Sequence, residues 1–125
     1  MLPEVYVRCG PAGTGKTRWL DEQYGTDGYA IAPDNTGRWF DSCDRDVVLF
    51  DDVSNGQVPS PSLWKRLCDR YPFQVAVKGG HIWWKPKVIV FTSNQHPKEW
   101  WPDMSELDMD AVERRITSVS VVGSI

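Results

Sequence analysis

The segment GPAGTGKT, residues 10–17, most constrains what this chain can fold into, because it fits the pattern GxxxxGK[ST] at every fixed position. The run VYVRC, residues 5–9, precedes it and is rich in β-branched and aromatic residues, which predicts a strand. A helix is predicted from Lys16 to about Gln23. A glycine-rich loop between a strand and a helix points backbone N–H groups at phosphate. The sequence therefore predicts an α/β fold with a phosphate-binding loop.

The predicted nucleotide-binding residues are Gly10, Pro11, Ala12, Gly13, Thr14, Gly15, Lys16 and Thr17. The glycines let the backbone curl around phosphate oxygens. The Lys16 ammonium group can reach the β- and γ-phosphates of ATP, and the Thr17 hydroxyl can bind Mg²⁺. The pattern leaves one plain alternative, a Gly/Pro turn between a strand and a helix.

Strands and helices alternate along the rest of the chain. Further strands are predicted at residues 28–31, 46–51, 87–92 and 118–122, and helices at residues 61–71 and 109–116. The runs DVVLFD and KVIVFT are almost continuously apolar, which is typical of strands buried on both faces of a parallel sheet. Ser60 before Pro61 is a helix-start signal. The alternation predicts an α/β domain with a mainly parallel central sheet.

Polar side chains follow two of these strands. Asp51 and Asp52 end the strand VVLF; Asp51 suits Mg²⁺ and Asp52 suits a base that orients the attacking water. Asn94 follows the strand VIVF, at the edge where open α/β sheets bind ligands, and could hydrogen-bond the γ-phosphate or the water. The alternatives are two acids that begin a loop and an asparagine that forms a turn.

Two adjacent arginines, Arg114 and Arg115, lie on the last predicted helix. One or both could act as an arginine finger on the nucleotide of a neighbouring subunit. The alternative is a solvated helix face, salt-bridged to the nearby Asp108, Asp110 and Glu113.

Composition narrows the class of protein. The chain has 125 residues, which suits one domain, and its net charge of −3 argues against a binder of nucleic acid with a wholly basic surface. Three cysteines without a CxxC pair predict free thiols in a reducing compartment, and two isolated histidines are too few for a metal cluster. No apolar run approaches the ~20 residues of a membrane span.

Residues 72–87, PFQVAVKGGHIWWKPK, predict a hairpin with Gly79-Gly80 as its two-residue turn. This turn would pair Lys78 with His81, Val77 with Ile82, Ala76 with Trp83, Val75 with Trp84 and Gln74 with Lys85. Because side chains alternate between the two faces, Val75, Val77, Ile82 and Trp84 are expected in the core. Trp83 is expected on the other face, with Gln74, Lys78, His81 and Lys85.

The ordered set GPAGTGKT, VVLFDD, VKGG, VIVFTSN and ERRIT resembles the superfamily 3 helicases of the AAA+ type. The likeness is strongest to the ATPase domain of the replication initiators of circoviruses and related small circular single-stranded DNA viruses. It implies a three-layer P-loop NTPase core of about five strands, with a hairpin inserted before the strand that leads to Asn94. It also implies a hexameric ring with ATP between subunits and single-stranded DNA through the centre.

The resemblance implies roles for the candidate residues. Lys16 with Thr17 and Asp51 with Asp52 would be the Walker A and Walker B pairs, Asn94 the γ-phosphate sensor, and Arg114 or Arg115 the finger. On the hairpin, Lys78 matches the DNA-contacting lysine of this family. The charge and hydrogen bonds of Lys78 and His81 at the tip suit DNA phosphates, which requires no reading of base sequence, and Lys85 on the same face is a further DNA-binding candidate. Trp83 could pack against a neighbouring subunit or lie near DNA.

Members of this family usually carry an N-terminal nicking endonuclease with a HUH metal motif, and this sequence contains no His-x-His. Residues 1–125 are therefore expected to be one domain, the helicase part of a longer protein. That protein is expected to act in the host-cell nucleus and to have no membrane partner. Two other functions stay open. One is a P-loop nucleotide or metabolite kinase, although no lid segment is evident. The other is a nucleotide-dependent DNA-binding module without turnover.

Overall fold

The computed structural model describes residues 2–11 and 15–122. The strands within these residues are β1 Glu4–Cys9, β2 Ala30–Ile31, β3 Val47–Val53, β4 Phe73–Val77, β5 Gly80–Trp84, β6 Val88–Ser93 and β7 Ser118–Val121. The helices are α1 Arg18–Tyr24, α2 Pro61–Leu67, α3 Pro97–Trp100 and α4 Glu106–Glu113. All the predicted elements are present, and the short helix α3 is an addition that the sequence pattern did not predict.

Five strands form one sheet in the order β2-β3-β6-β1-β7, and each neighbouring pair is parallel. This confirms the predicted α/β class and the mainly parallel sheet. Because the strands are parallel, all their carboxyl-terminal ends lie at one edge, where open α/β sheets bind ligands. The loops after β1, β3 and β6, three adjacent strands, therefore meet at this edge.

The central strands are buried on both faces, as their apolar runs predicted. On one face, Phe50 of β3 and Phe91 of β6 stack at 5.0 Å and pack against the hairpin and the helices α2 to α4. On the other face, Leu49 and Val90 pack beneath Leu20 of α1. The layers are thus α1, the sheet, and a thicker layer made of the hairpin and three helices, in agreement with the predicted three-layer architecture.

The helix boundaries differ from the predicted ones for local reasons. The helix α2 starts as predicted, with the Ser60 hydroxyl accepting the N–H of Leu63 at 3.2 Å, but it ends at Leu67, four residues early. At this end of the helix, the indole N–H of Trp84 donates a hydrogen bond to the carbonyl of Leu67 at 2.8 Å. The helix α4 starts three residues early because the Ser105 hydroxyl caps it, and it ends three residues early, before the chain turns into β7.

The hairpin is present, but its predicted pairing is wrong by one residue at the turn. Val77 pairs with Gly80, so Lys78 and Gly79 form the turn, and Gly79 adopts a φ of 89° that favours glycine. The carboxylate of Asp41 accepts the Lys78 N–H at 2.5 Å and holds the turn there. Moving a turn by one residue changes each partner by two positions, so every side chain keeps its predicted face.

The cysteines Cys9, Cys43 and Cys68 are free thiols, as predicted, and all three are buried. Burial raises the pKa of Cys43 to about 11 and the pKa of Cys68 well above its usual value. These two thiols stay protonated near neutral pH. No helix in the described part of the chain is long and apolar enough to cross a membrane.

Candidate nucleotide site

Lys16 and Asn94 meet at the carboxyl-terminal edge of the sheet. The ammonium Nζ of Lys16, after β1, donates to the Oδ1 of Asn94, after β6, at 2.9 Å. It also donates to the carbonyl oxygens of Gly10 at 2.6 Å and Pro11 at 3.1 Å. Three oxygens thus hold this positive charge between β1 and β6, where the sequence predicted a nucleotide.

Gly10, the first residue of the predicted phosphate loop, is held against the end of β6. The N–H of Gly10 donates to the carbonyl of Ser93 at 2.9 Å, and Gly15 has a φ of 82°. Thr17 is the N-cap of α1, yet its hydroxyl makes no capping hydrogen bond. The other predicted loop residues, Ala12, Gly13 and Thr14, lie outside the described residues.

The two predicted acids lie in a bulge of β3. Between Phe50 and Val53, β3 has one more residue than the paired part of β6, and both Asp51 and Asp52 are exposed. An extra residue breaks the alternation of side chains, so two consecutive residues can face the same way. The strand was predicted to end at Asp51, but it continues to Val53.

A buried hydroxyl links the two acids. Thr92 Oγ1 donates to Oδ1 of Asp51 at 2.8 Å and accepts the N–H of Asp52 at 2.9 Å, and Thr92 is fully buried. Asp52 has a φ of 60°, a strained conformation for a residue other than glycine and one that is common near functional sites. Thr92 was not predicted as a site residue, because only the register of β3 against β6 brings it to the acids.

A second set of hydrogen bonds stabilises the segment after β6. The hydroxyl of Ser93 donates to the carbonyl of Val53 at 2.6 Å and accepts the N–H of Gln95 and the indole N–H of Trp100. The side chain of Gln95 accepts the N–H of Asn55 at 2.9 Å. Asn94 is therefore presented on a segment whose neighbours on both sides are fixed.

Arg114 and Arg115 lie at the opposite end of the sheet. They directly follow α4, and the N–H of Thr117 then donates to the carbonyl of Val5 at 2.7 Å, near the start of β1. A six-residue strand is roughly 17–20 Å long, so neither arginine approaches Lys16 of the same chain. Arg115 forms an ion pair with Asp69 at 3.5 Å, whereas Arg114 is exposed.

The predicted DNA-contacting residues are divided along the hairpin. Lys78 and His81 lie at its turn and are exposed. Lys85 directly follows β5 and is also exposed, but it lies at the base of the hairpin with Lys87 and Arg70. Four residue steps along the strand, about 13 Å, separate Lys85 from His81, so the structure brings together only two of the three.

The described residues contain no group of three or more His, Cys, Asp or Glu side chains that could hold a metal ion. Mg²⁺ is usually held by one or two carboxylates together with substrate phosphates and water, so a complete cage is not required for it. The pKa of the buried Cys9 thiol, next to the loop, is raised chiefly by burial and then by the charge of Glu99, while Lys16 opposes the rise.

Most of the chain is similar to known proteins. A family model described as RNA helicase matches residues 6–95. The replication-associated protein of beak and feather disease virus is 42% identical over 117 residues, which cover 93% of this chain and 38% of that protein. The corresponding protein of porcine circovirus 2 is 36% identical over 115 residues, covering 92% of this chain and 36% of that protein.

Among solved structures, a crystal structure of JCV helicase bound to a thiazolopyridine-containing acetamide is similar, with a TM-score of 0.61. The match covers 96% of this chain and 36% of that chain at 15% identity, which is evidence for the fold alone. The chain thus spans less than two fifths of the length of these three proteins.

Proposed function

Because the chain belongs to the superfamily 3 helicase family, as a domain related to part of the circovirus replication-associated proteins, we propose that it is an ATP-hydrolysing motor. In this proposal it translocates on single-stranded DNA during rolling-circle replication of a viral genome. It would work in the host-cell nucleus as part of a ring, with six subunits as the expected number.

One observation carries the proposal: the 2.9 Å contact between Lys16 Nζ and Asn94 Oδ1, beside the exposed pair Asp51 and Asp52. A cation, an amide and two carboxylates from three neighbouring strands converge at one edge. These are the groups that phosphoryl transfer requires, since the reaction depends on positioning and charge stabilisation more than on covalent chemistry by the protein.

The proposed reaction is in-line attack of water on the γ-phosphate of ATP. Lys16 would turn from the Gly10 and Pro11 carbonyls to the β- and γ-phosphates and stabilise their charge. Asp52 would orient the attacking water, and Asn94 would hydrogen-bond the γ-phosphate. Since Asn94 also contacts Lys16, loss of the γ-phosphate would alter both partners and so report hydrolysis to the rest of the domain.

Two residues fit a role in holding Mg²⁺. The Thr17 hydroxyl is not used in capping α1, and one oxygen of the exposed Asp51 carboxylate is oriented by Thr92. Thr17 and Asp51 would hold the ion, which would supply positive charge to offset the charge that develops on the phosphate. The donor set of one hydroxyl and one carboxylate suits a cation that keeps water and phosphate as its other ligands.

The arginine finger would come from a neighbouring subunit, and Arg114 is the better candidate. Within one chain both arginines lie at the sheet edge opposite Lys16. Arg115 is engaged by Asp69 and by the carbonyl of Ala111. Arg114 is exposed, and among the described residues its side chain bonds only the carbonyl of Asp110 in its own helix. An exposed guanidinium can reach a phosphate of another chain.

The test measures the rate of ATP hydrolysis against protein concentration, with and without single-stranded DNA. We expect a rate per subunit that rises steeply with concentration and is stimulated by DNA, because the finger needs a neighbour. Phosphate transfer to a small acceptor without DNA stimulation would indicate a kinase. ATP binding without turnover at high protein concentration would indicate a non-enzymatic module. Either result would refute the motor proposal.

A further inference from the structure

The hairpin formed by β4 and β5 is flanked by exposed aromatic side chains that the nucleotide site does not use. Three aromatic residues of the described chain are strongly exposed: Trp39 at 51%, Tyr71 at 64% and Trp83 at 54%. Trp83 belongs to β5, Tyr71 lies two residues before β4, and Trp39 adjoins the segment beside β4. Large aromatic rings usually bury most of their surface, so an exposed group around one element indicates an interaction surface.

The position of Trp39 follows from two hydrogen bonds of its neighbours. The N–H of Phe40 donates to the carbonyl of Ala76 at 2.9 Å, and the carboxylate of Asp41 accepts the N–H of Lys78 at 2.5 Å. Residues 39–41 therefore run along the free edge of β4. The Phe40 ring is buried and packs against Trp84 at 5.1 Å, while the adjacent Trp39 is half exposed. Trp39 thus lies toward solvent at this edge.

Trp83 lies on the outer face of the same hairpin, opposite Gln74 on β4. Two strand spacings of about 4.8 Å each separate β5 from residues 39–41, so the two tryptophan backbones are roughly 10 Å apart across the face. Neither indole contacts another aromatic ring or has a hydrogen-bond partner in the described chain. About half of the surface of each tryptophan is therefore open to a ligand.

The charge around these rings is mainly positive, and the one acid placed at the hairpin turn is Asp41, whose carboxylate accepts the N–H of Lys78. Residues 72–87 contain three lysines and one histidine and no acidic residue. Lys78 and Lys85 form no ion pair with any described residue, and Arg38 is exposed next to Trp39. Exposed aromatic rings interleaved with unpaired cations match a ligand that carries both flat bases and phosphates.

We propose that Trp39 and Trp83 form a stacking platform for the bases of single-stranded DNA, with Lys78 and His81 beside them for the phosphates. This inference rests on the proposed function and adds the aromatic half of the DNA site. Stacking on aromatic side chains tolerates any base, because every base has a π-face. A motor that moves along unrelated sequences needs this kind of contact.

The test compares two labelled strands with the same number of phosphates, an oligodeoxythymidylate and an abasic strand. The wild-type chain should bind the strand with bases more tightly. Trp39→Ala and Trp83→Ala should each weaken its binding about 5- to 150-fold and change binding of the abasic strand less than about twofold. Trp39→Phe and Trp83→Phe keep a ring and should retain most of the affinity.

Two control variants separate stacking from charge and from surface apolarity. Lys78→Ala should weaken the binding of both strands to the same extent and reduce the dependence of affinity on salt concentration. Leu107→Ala removes a 75% exposed apolar side chain on α4 and should change the binding of neither strand.

The outcomes distinguish this inference from the proposed function. If the wild-type chain binds neither strand, the DNA part of the proposed function fails, and the platform fails with it. If it binds both strands equally, or if the tryptophan variants bind like wild type, the platform is refuted and the phosphate contacts stand. If the tryptophan variants lose self-association in sedimentation while DNA affinity is unchanged, the face is a subunit contact and the inference is wrong.

Discussion

At the carboxyl-terminal edge of the sheet, the polar side chains are fixed by hydrogen bonds to one another. On the outer face of the hairpin, the side chains have few partners. Lys16 meets three oxygens, and Thr92 joins the side chain of Asp51 to the backbone of Asp52. On the hairpin, the Lys78 side chain has no ion-pair partner in the described chain, and Trp83 contacts no other ring. The first region has the fixed geometry that chemistry needs, and the second has the area and charge that gripping a flexible strand needs.

This contrast predicts that single changes at the sheet edge act on rate and that changes on the hairpin act on affinity or folding. The largest effect is expected for Lys16→Ala. The variant loses a charge directed at the transferred phosphate, and we expect ATP hydrolysis to fall at least about 1000-fold while thermal stability changes little. Near-normal turnover by the assembled variant would refute the site.

Mixing two variant subunits tests whether the arginine comes from a neighbouring subunit. Lys16→Ala and Arg114→Ala subunits, each inactive alone, should regain part of the activity when mixed, because an intact Lys16 site can then face an intact Arg114. A mixture of Lys16→Ala with Arg115→Ala provides the comparison: Arg115→Ala alone should stay active. No recovery in the first mixture would contradict a finger from the neighbouring subunit.

The second prediction compares the two faces of the hairpin. Trp84 is 2% exposed, packs edge-on against Phe40 and Phe50, and donates to the Leu67 carbonyl. We expect Trp84→Ala to lower the free energy of unfolding by about 3–5 kcal/mol, and Trp83→Ala to change it by less than about 0.5 kcal/mol. Urea unfolding measures both. Equal losses would show that the outer ring is also part of the core.

The hydroxyl of Thr92 stabilises the bulge of β3 by its hydrogen bonds to Asp51 and Asp52. Thr92→Val keeps the shape but removes the hydroxyl, which leaves the N–H of Asp52 without its partner and frees the Asp51 carboxylate. Leaving the N–H of Asp52 unsatisfied costs about 1–3 kcal/mol of stability. Because the Asp51 carboxylate also loses the hydroxyl that orients it, we expect hydrolysis to slow and to require more Mg²⁺. Thr92→Ser should retain both bonds and most of the rate. A Thr92→Val variant that is less stable but has wild-type Mg²⁺ dependence would assign Thr92 a purely structural role.

The sequence predicted those parts of the site that depend on consecutive residues. The loop with Lys16, the acids after one apolar strand and Asn94 after another are local patterns, and a parallel sheet necessarily brings strand ends together. The buried strands were predicted for the same reason, because apolar runs record burial on both faces.

The remaining features depend on contacts between distant segments. The bulge that exposes Asp51 and Asp52 exists only in the register of β3 against β6. The hairpin turn was misplaced because Asp41, far away in sequence, binds the N–H of Lys78. The relation of Trp39 to the hairpin likewise arises from one backbone bond between Phe40 and Ala76. A single sequence contains no signal for such pairings.

The smallest expected effect is a dependence of stability on pH at the α1 side of the sheet. The Tyr29 hydroxyl donates to Oδ1 of Asp21 at 2.5 Å, and this bond, with burial and the charges of Asp21 and Asp51, raises the pKa of Tyr29 to about 12. The unfolded tyrosine ionises near pH 10, so the folded state holds the proton to a higher pH. The stabilisation is complete below pH 10 and is lost as the pH rises to about 12.

Tyr29→Phe should therefore lower the free energy of unfolding by about 1 kcal/mol at neutral pH and make its decline between pH 10 and 12 shallower than in wild type. Chemical unfolding at closely spaced pH values measures both. Asp21→Asn removes the charged acceptor and should reproduce the shallower decline. If Tyr29→Phe does so and Asp21→Asn does not, burial rather than the Asp21 carboxylate is what retains the proton.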